Sequence, residues 1–212
     1  TIVTGSDEFE FVYRVKLPLI DGEAHLWMPL ARTDAFQTVR VDEFSIPMKW
    51  EKMHDRDNGN DICVLNPRAE DSGKIIELRY RVVRKEKTAY LANETNVERY
   101  LRPEKLVPLN QTFKTIAEQA IAGKANEMER AKALYDHVLG RMRYDKSGTG
   151  WGRGDAMFAC DARTGNCTDF HSYFIALARA VGIPARFAIG ATIPADKTEG
   201  TIEGYHCWAE FF

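Results

Sequence analysis

The run from Gly165 to Phe187 constrains this chain more than any other stretch. Gly165 and Asn166 are turn residues, and Cys167 follows at once. Behind it, Phe170, Phe174, Leu177 and Val181 recur at the spacing of one apolar helix face. Gly182 and Pro184 then stop the helix, as Gly past the end and Pro just beyond it do. Ala185 to Ile189 reads as a short buried strand. The sequence therefore sets one thiol at the first turn of a buried helix. Backbone N–H groups at a helix start lack intrahelical partners, and the helix dipole is positive there. Both favour a thiolate, the nucleophilic form of cysteine. The same N–H groups can hold a developing oxyanion. A structural cysteine that merely precedes a helix is the competing reading, since free Cys is among the most buried residue types.

The stretch Gly204-Tyr205-His206-Cys207-Trp208-Ala209-Glu210-Phe211-Phe212 opens on a turn residue and becomes a strand. A histidine at its start suits a general base delivered from a sheet to a helix-start cysteine. Adjacent strand residues point to opposite faces. The expectation is that His206 faces the helix and Cys207 packs behind the strand.

Gly-Asn-Cys-Thr-Asp-Phe-His, Gly-Ile-Pro-Ala-Arg-Phe and Tyr-His-Cys-Trp-Ala-Glu-Phe, in this order, resemble the transglutaminase-like superfamily of papain-related cysteine enzymes. Gly152-Arg153-Gly154-Asp155 and Cys160-Asp161-Ala162-Arg163 resemble a bacterial branch of it, and the likeness covers roughly Asn126 to Phe212. The resemblance implies that Cys167 is the nucleophile and His206 its base. It also implies an Asp on a later strand that orients the imidazole. No residue of this chain matches that Asp, so the core is expected to be truncated at its C-terminus, in mid-strand at Phe212. The implied chemistry is acyl transfer on a peptide or carboxamide bond, with hydrolysis favoured. Protein cross-linking and a non-catalytic binding module are the alternatives.

Other residues near these motifs are candidates for the oxyanion site or the substrate groove. They are Trp151, Asn166, Asp155 and His171. Trp151 lies in a loop carrying Gly148, Gly150, Gly152 and Gly154, which reads as a flexible rim; no Gly-Lys-Ser/Thr follows to make it a phosphate loop. His171 is four residues after Cys167, on the same helix face, and is an alternative base. Asp169, in the first helical turn, is expected to cap rather than to catalyse. Cys160 stands near where papain-type enzymes keep an oxyanion glutamine, which is absent here.

The chain holds four cysteines, Cys63, Cys160, Cys167 and Cys207, too few for a disulfide framework. Cys160, Cys167, His206 and Cys207 could in principle supply zinc ligands. The Cys160–Cys167 spacing and the opposed faces of His206 and Cys207 argue against it. No metal or other cofactor is expected, and no Asp-x-Asp-x-Asp-Gly calcium loop occurs. A formal charge of −2 gives no reason to expect nucleic acid or an anionic membrane as partner. No run of about 18 apolar residues is present to span a membrane. A peptide or protein substrate is the expected partner. The chain starts without Met, so the native N-terminus is expected to be missing, which leaves an extracytoplasmic location open.

The fold class expected is α+β: an N-terminal antiparallel β-sandwich followed by a papain-like, transglutaminase-like core of helices on an antiparallel sheet. Phe9, Phe11, Tyr13, Val15 and Leu17 alternate with Glu10, Arg14 and Lys16. Ala24–Leu30, Thr38–Ile46, Ile62–Asn66 and Ile75–Val83 are further strands, separated by turns at Asp21-Gly22, Asn58-Gly59 and Asp71-Ser72-Gly73. They suggest an immunoglobulin-like sandwich over residues 1–90. Its His25 and His54 read as surface residues. Residues 91–109, broken by Pro103 and Pro108, read as a linker, and 110–212 as the catalytic core. Within the core, Asn110 and Asn126 are expected to cap two helices. Met128, Ala131, Leu134, Val138 and Met142 form the second helix's apolar stripe, with His137 outside it and exposed.

Overall fold

The computed structural model describes residues 5–86, 96–193 and 198–212. The chain is α+β and divides into two compact units, Thr1–Leu91 and Ala92–Phe212. The expected boundary at residues 90 and 91 lies outside the described residues.

The first unit holds six strands: β1 (Ser6–Lys16), β2 (Leu26–Pro29), β3 (Gln37–Ser45), β4 (Trp50–Asp55), β5 (Asn60–Leu65) and β6 (Ile75–Lys85). They form two antiparallel three-stranded sheets, ordered β1-β6-β3 and β2-β5-β4. Period-two alternation turns Ile76, Leu78, Tyr80 and Val82 of β6 inward. They meet Met28, Cys63 and Leu65 of the other sheet, so the core lies between the sheets. Strand β4 has no counterpart among the expected strands. Its Glu51, Lys52, Met53 and His54 are all exposed, so no buried alternation marks it. It is an edge strand paired to β5 alone, where charge is common. His25 and His54 lie exposed, hydrogen-bonded to Asn66 and Asp61.

The second unit carries α1 (Gln111–Ala120), α2 (Glu127–Arg141), β7 (Arg143–Tyr144), α3 (Ala156–Ala162), β8 (Thr164–Gly165), α4 (Cys167–Ala180), β9 (Ala185–Gly190) and β10 (His206–Phe211). Asn110 caps α1 by accepting from the Phe113 N–H, and Asn126 caps α2 by accepting from that of Glu129. Helix α4 is the spine. Every residue from Ser172 to Arg179 is buried, so the helix is enclosed nearly all round and not along one face. Phe113, Ala117, Leu134, Val138 and Ala159 of the other helices complete the core around it. Arg179 is buried with its guanidinium donating to the carbonyls of Ala185 and Arg102. A 3-10 helix at Val97–Leu101 also belongs to this unit and buries Tyr100. Strands β9 and β10 pair antiparallel, His206 opposite Gly190 and Phe211 opposite Ala185.

Two side chains depart from expectation. Met128, placed on the buried stripe of α2, is 64% exposed, because it lies in the first turn, beyond the reach of α4. His137, expected outside the core, is half-buried, with its Nε2 3.1 Å from the Tyr173 hydroxyl. Burial holds its imidazole below the ordinary histidine range. No helix among the described residues is long and apolar enough to cross a membrane.

Leu177 lies in the C-terminal half of α4 and is fully enclosed. Leu177→Ala should cost about 2–5 kcal/mol through lost transfer energy and the cavity left behind. Urea unfolding of the variant against the parent chain measures it; a loss under about 1 kcal/mol would contradict a spine role.

Candidate active site

The start of α4 is built around one carboxylate. Asp169 is fully buried. Its Oδ2 accepts from the N–H of Asn166 at 3.0 Å and of Gly152 at 2.6 Å, and its Oδ1 from that of Gly154 at 3.2 Å. Asn166 completes a capping box by accepting from the Thr168 N–H at 3.0 Å. Asp169 is thus a cap, as expected, and also the tie that holds the glycine loop against the helix.

That tie explains the glycines. Gly152 and Gly154 adopt φ of 79° and 69°, a left-handed conformation that turns both N–H groups toward one carboxylate. A Cβ on Gly152 would meet the Asn166 amide at 3.3 Å, and one on Gly154 the Thr168 methyl at 3.1 Å. At Gly165 any Cβ would collide with Asp169 itself. The loop expected to be a flexible rim is therefore pinned at two of its glycines. Trp151 sits half-buried between Gly150 and Gly152, one residue from the backbone that lies against Asn166. Asn166 is itself 6% exposed and occupied with capping. Asp155 caps α3, its Oδ1 accepting from the N–H groups of Met157 and Phe158.

Cys167 is the first residue of α4 and the only one of the four cysteines that is not buried. Strand β10 runs up to it. Cys207 is fully buried, with its sulfur 3.9 Å from Thr168 Oγ1 and 3.5 Å from His171 Nδ1. Just before the strand, the Tyr205 hydroxyl lies 3.1 Å from Thr168 Oγ1. His206 is thus flanked by two residues that both touch the first turn of α4.

These contacts reverse one expectation. Cys207 faces the helix and His206 lies on the outward face. Ala209 and Phe211, on the Cys207 side, pack on the core and against Phe174; Trp208 and Glu210, on the His206 side, do not. His206 is exposed, its ring 6.5 Å from that of Trp208. The period-two rule was available in the sequence, since Ala209 and Phe211 share a face with Cys207. Tyr205 and Thr168 carried no signal, because a hydroxyl pair across a fold has no spacing to read.

Burial keeps the His171 imidazole below the ordinary histidine range; contact with the Cys167 backbone opposes this, and the charge of His206 adds to it. Burial likewise pushes the Cys207 thiol up to about 12, with Cys167 acting in the same sense. His171 and Cys207 are therefore neutral at ordinary pH. Among the described residues, no group of three or more His, Cys, Asp or Glu side chains is arranged to hold a metal ion.

Residues 114–212 match the model of the Transglutaminase-like superfamily. An uncharacterized protein of Haemophilus influenzae is 28% identical over 136 residues, covering 55% of this chain and 37% of its own length. The chain thus spans little more than a third of that relative. Among solved structures, a candidate cysteine protease from Cytophaga hutchinsonii superposes with a TM-score of 0.74 at 17% identity, over 99% of this chain and 74% of that one. The periplasmic domain of TgpA from Pseudomonas aeruginosa does so with a TM-score of 0.54 at 15% identity, over 99% and 67%. These likenesses show the fold, across both units.

Removing the buried carboxylate should expose its dependence. Asp169→Ala leaves three N–H groups without their acceptor. The cost should be at least about 3 kcal/mol, given roughly 1.5–3 for each hydrogen bond to a charged group, less relaxation. Hydrogen exchange at Gly152 and Gly154 should accelerate in the variant. Unchanged exchange there would show that the loop is held by something else.

Proposed function

We propose that the chain, whose residues 114–212 match the transglutaminase-like superfamily model, catalyses acyl transfer through Cys167, with hydrolysis of a peptide or carboxamide bond as the favoured outcome. The observation that carries this reading is the meeting of a helix start and a strand start. The helix beginning at Cys167 and the strand beginning at His206 are joined there by Thr168–Tyr205 and by Cys207–His171.

The steps follow from the residues. Cys167 lies half-exposed at the positive end of a 14-residue helix, whose first N–H groups can share a developing negative charge. Its sulfur attacks the carbonyl carbon, and a tetrahedral oxyanion forms. The base role is assigned to His206, whose side chain must turn from the outward face of β10 toward the helix start to take the thiol proton and return it to the leaving nitrogen, so that an amine or ammonia departs and a thioester remains. Water then completes hydrolysis, activated by the same imidazole. Trp151, on the pinned loop beside Asn166, is the proposed groove wall. Asn166 and Asp155 act by fixing backbone, the first at α4 and the second at α3. His171 is half-buried, its Nδ1 turned to the Cys207 sulfur, and is not assigned the base role, which needs an imidazole open to substrate.

Cys63, Cys160 and Cys207 are buried, so faster labelling of Cys167 than of these would follow from exposure alone. The diagnostic comparison is with free glutathione. Iodoacetamide at neutral pH should label Cys167 faster than glutathione, and His206→Ala should slow it. On a peptide library read by mass, Cys167→Ala should abolish cleavage. His206→Ala should lower kcat/KM by roughly 100- to 10,000-fold, the range for loss of a general base. Labelling no faster than glutathione, with no cleavage, would favour a non-catalytic binding module. Amine incorporation without cleavage would favour cross-linking.

A further inference from the structure

The proposed mechanism uses one thiol, yet the site holds two. Cys207 comes from β10 and Cys167 from α4; the Cys207 sulfur lies 3.9 Å from Thr168 Oγ1 and 3.5 Å from His171 Nδ1, the residues one and four after Cys167, and both cysteines are free. The second sulfur is fully buried and the first is not. Any small oxidant therefore meets Cys167 before Cys207, which is packed against the same first turn of α4. His171 Nδ1, 3.5 Å from the Cys207 sulfur, supplies a proton acceptor on the inner side.

We propose that Cys167 and Cys207 form a reversible dithiol–disulfide pair, in which Cys167 is the sulfur that a hydroperoxide oxidises and Cys207 is the thiol that resolves it. This rests on the reading of Cys167 as the reactive thiol of the site. In the first step the Cys167 thiolate attacks hydrogen peroxide. An S–O bond forms as the O–O bond breaks, the sulfur loses two electrons, and the peroxide is reduced to water. In the second step Cys207 attacks the sulfenic sulfur. An S–S bond forms, the S–O bond breaks, and the departing hydroxide takes up the Cys207 proton, relayed by His171, to leave as water.

Burial holds Cys207 as a thiol, so it does not compete as a nucleophile toward substrate in the reduced state. It becomes reactive only when an electrophilic sulfur stands beside it and His171 removes its proton. The oxidised state has no free nucleophile at the helix start, so acyl transfer stops. Dithiol exchange restores it. The pair also protects Cys167, because the disulfide can be reduced whereas a sulfinate cannot under the same treatment.

The test reads the bond itself. The whole chain is treated with a modest excess of hydrogen peroxide, alkylated in denaturant, digested and analysed by mass. The expected product is a Cys167–Cys207 linked peptide lighter by two hydrogens than the separate thiol peptides, converted back by dithiothreitol. In Cys207→Ser the same treatment should carry Cys167 on to a sulfinate that dithiothreitol does not reverse. Wild-type chain that yields Cys167 sulfinate with Cys207 still alkylatable overturns the proposal, whether or not the serine variant folds. The two readings fail separately. A linked peptide from a chain that cleaves nothing supports the thiol pair and sinks the acyl transferase; cleavage without linkage does the reverse.

Discussion

The buried Asp169 carboxylate is the interaction on which the rest of the second unit's chemistry depends. A desolvated charge is costly unless hydrogen bonds replace its water. Here three backbone N–H groups do so, from Asn166, Gly152 and Gly154. Such charge-assisted bonds are roughly twice as strong as neutral ones. Their donors come from separate stretches, so satisfying one side chain brings together a helix start and a glycine loop. The position of Cys167 follows, since Asn166 immediately precedes it and shares the capping box. A hydrophobic residue at 169 could fill the space, but it would give neither loop nor cap a reason to be there.

The strand pair needs help of another kind. A two-stranded ribbon is marginal in water by itself. β9 and β10 gain their stability from α4, against which Phe211 packs on Phe174 and Ala209 on the core. Because α4 is enclosed on nearly every side, it can serve as a fixed reference for both the loop and the ribbon. Rigid support of this sort is what a reacting pair needs, since small misplacements cost large factors in rate.

The sequence disclosed what is local and periodic. Asn110 and Asn126 were legible as caps because capping is a matter of one side chain and the next three residues. Five of the six strands were legible from alternation, and the sixth was not, because its middle residues are all solvated. Helix α3, with seven residues, is too short to show a period. Asp169 was legible as a cap but not as the anchor of Gly152 and Gly154, since a contact over 15 or 17 positions leaves no repeat. His206 was mis-faced for a different reason. Reading the histidine as a base for the helix-start cysteine set it toward the helix, and that overrode the apolar side marked by Ala209 and Phe211.

The facing of β10 makes its register the final constraint. A slip of one residue would exchange the sides of His206 and Cys207. What prevents it lies at the far end of the ribbon. Arg186 stands directly opposite Glu210, with its Nε 2.8 Å from Glu210 Oε2. The same guanidinium reaches the Tyr100 hydroxyl at 2.6 Å, and the Tyr100 ring stacks on Phe212 at 5.2 Å. The Phe212 N–H donates to the Pro184 carbonyl. Each partner is specific to one pairing, and a shifted strand would lose all of them while burying the His206 imidazole in place of the Cys207 thiol. The charge pair contributes little as an attraction per se, since partly exposed ion pairs rarely do. Its worth is in selecting one alignment among two, and with it the side of the strand on which the histidine is offered.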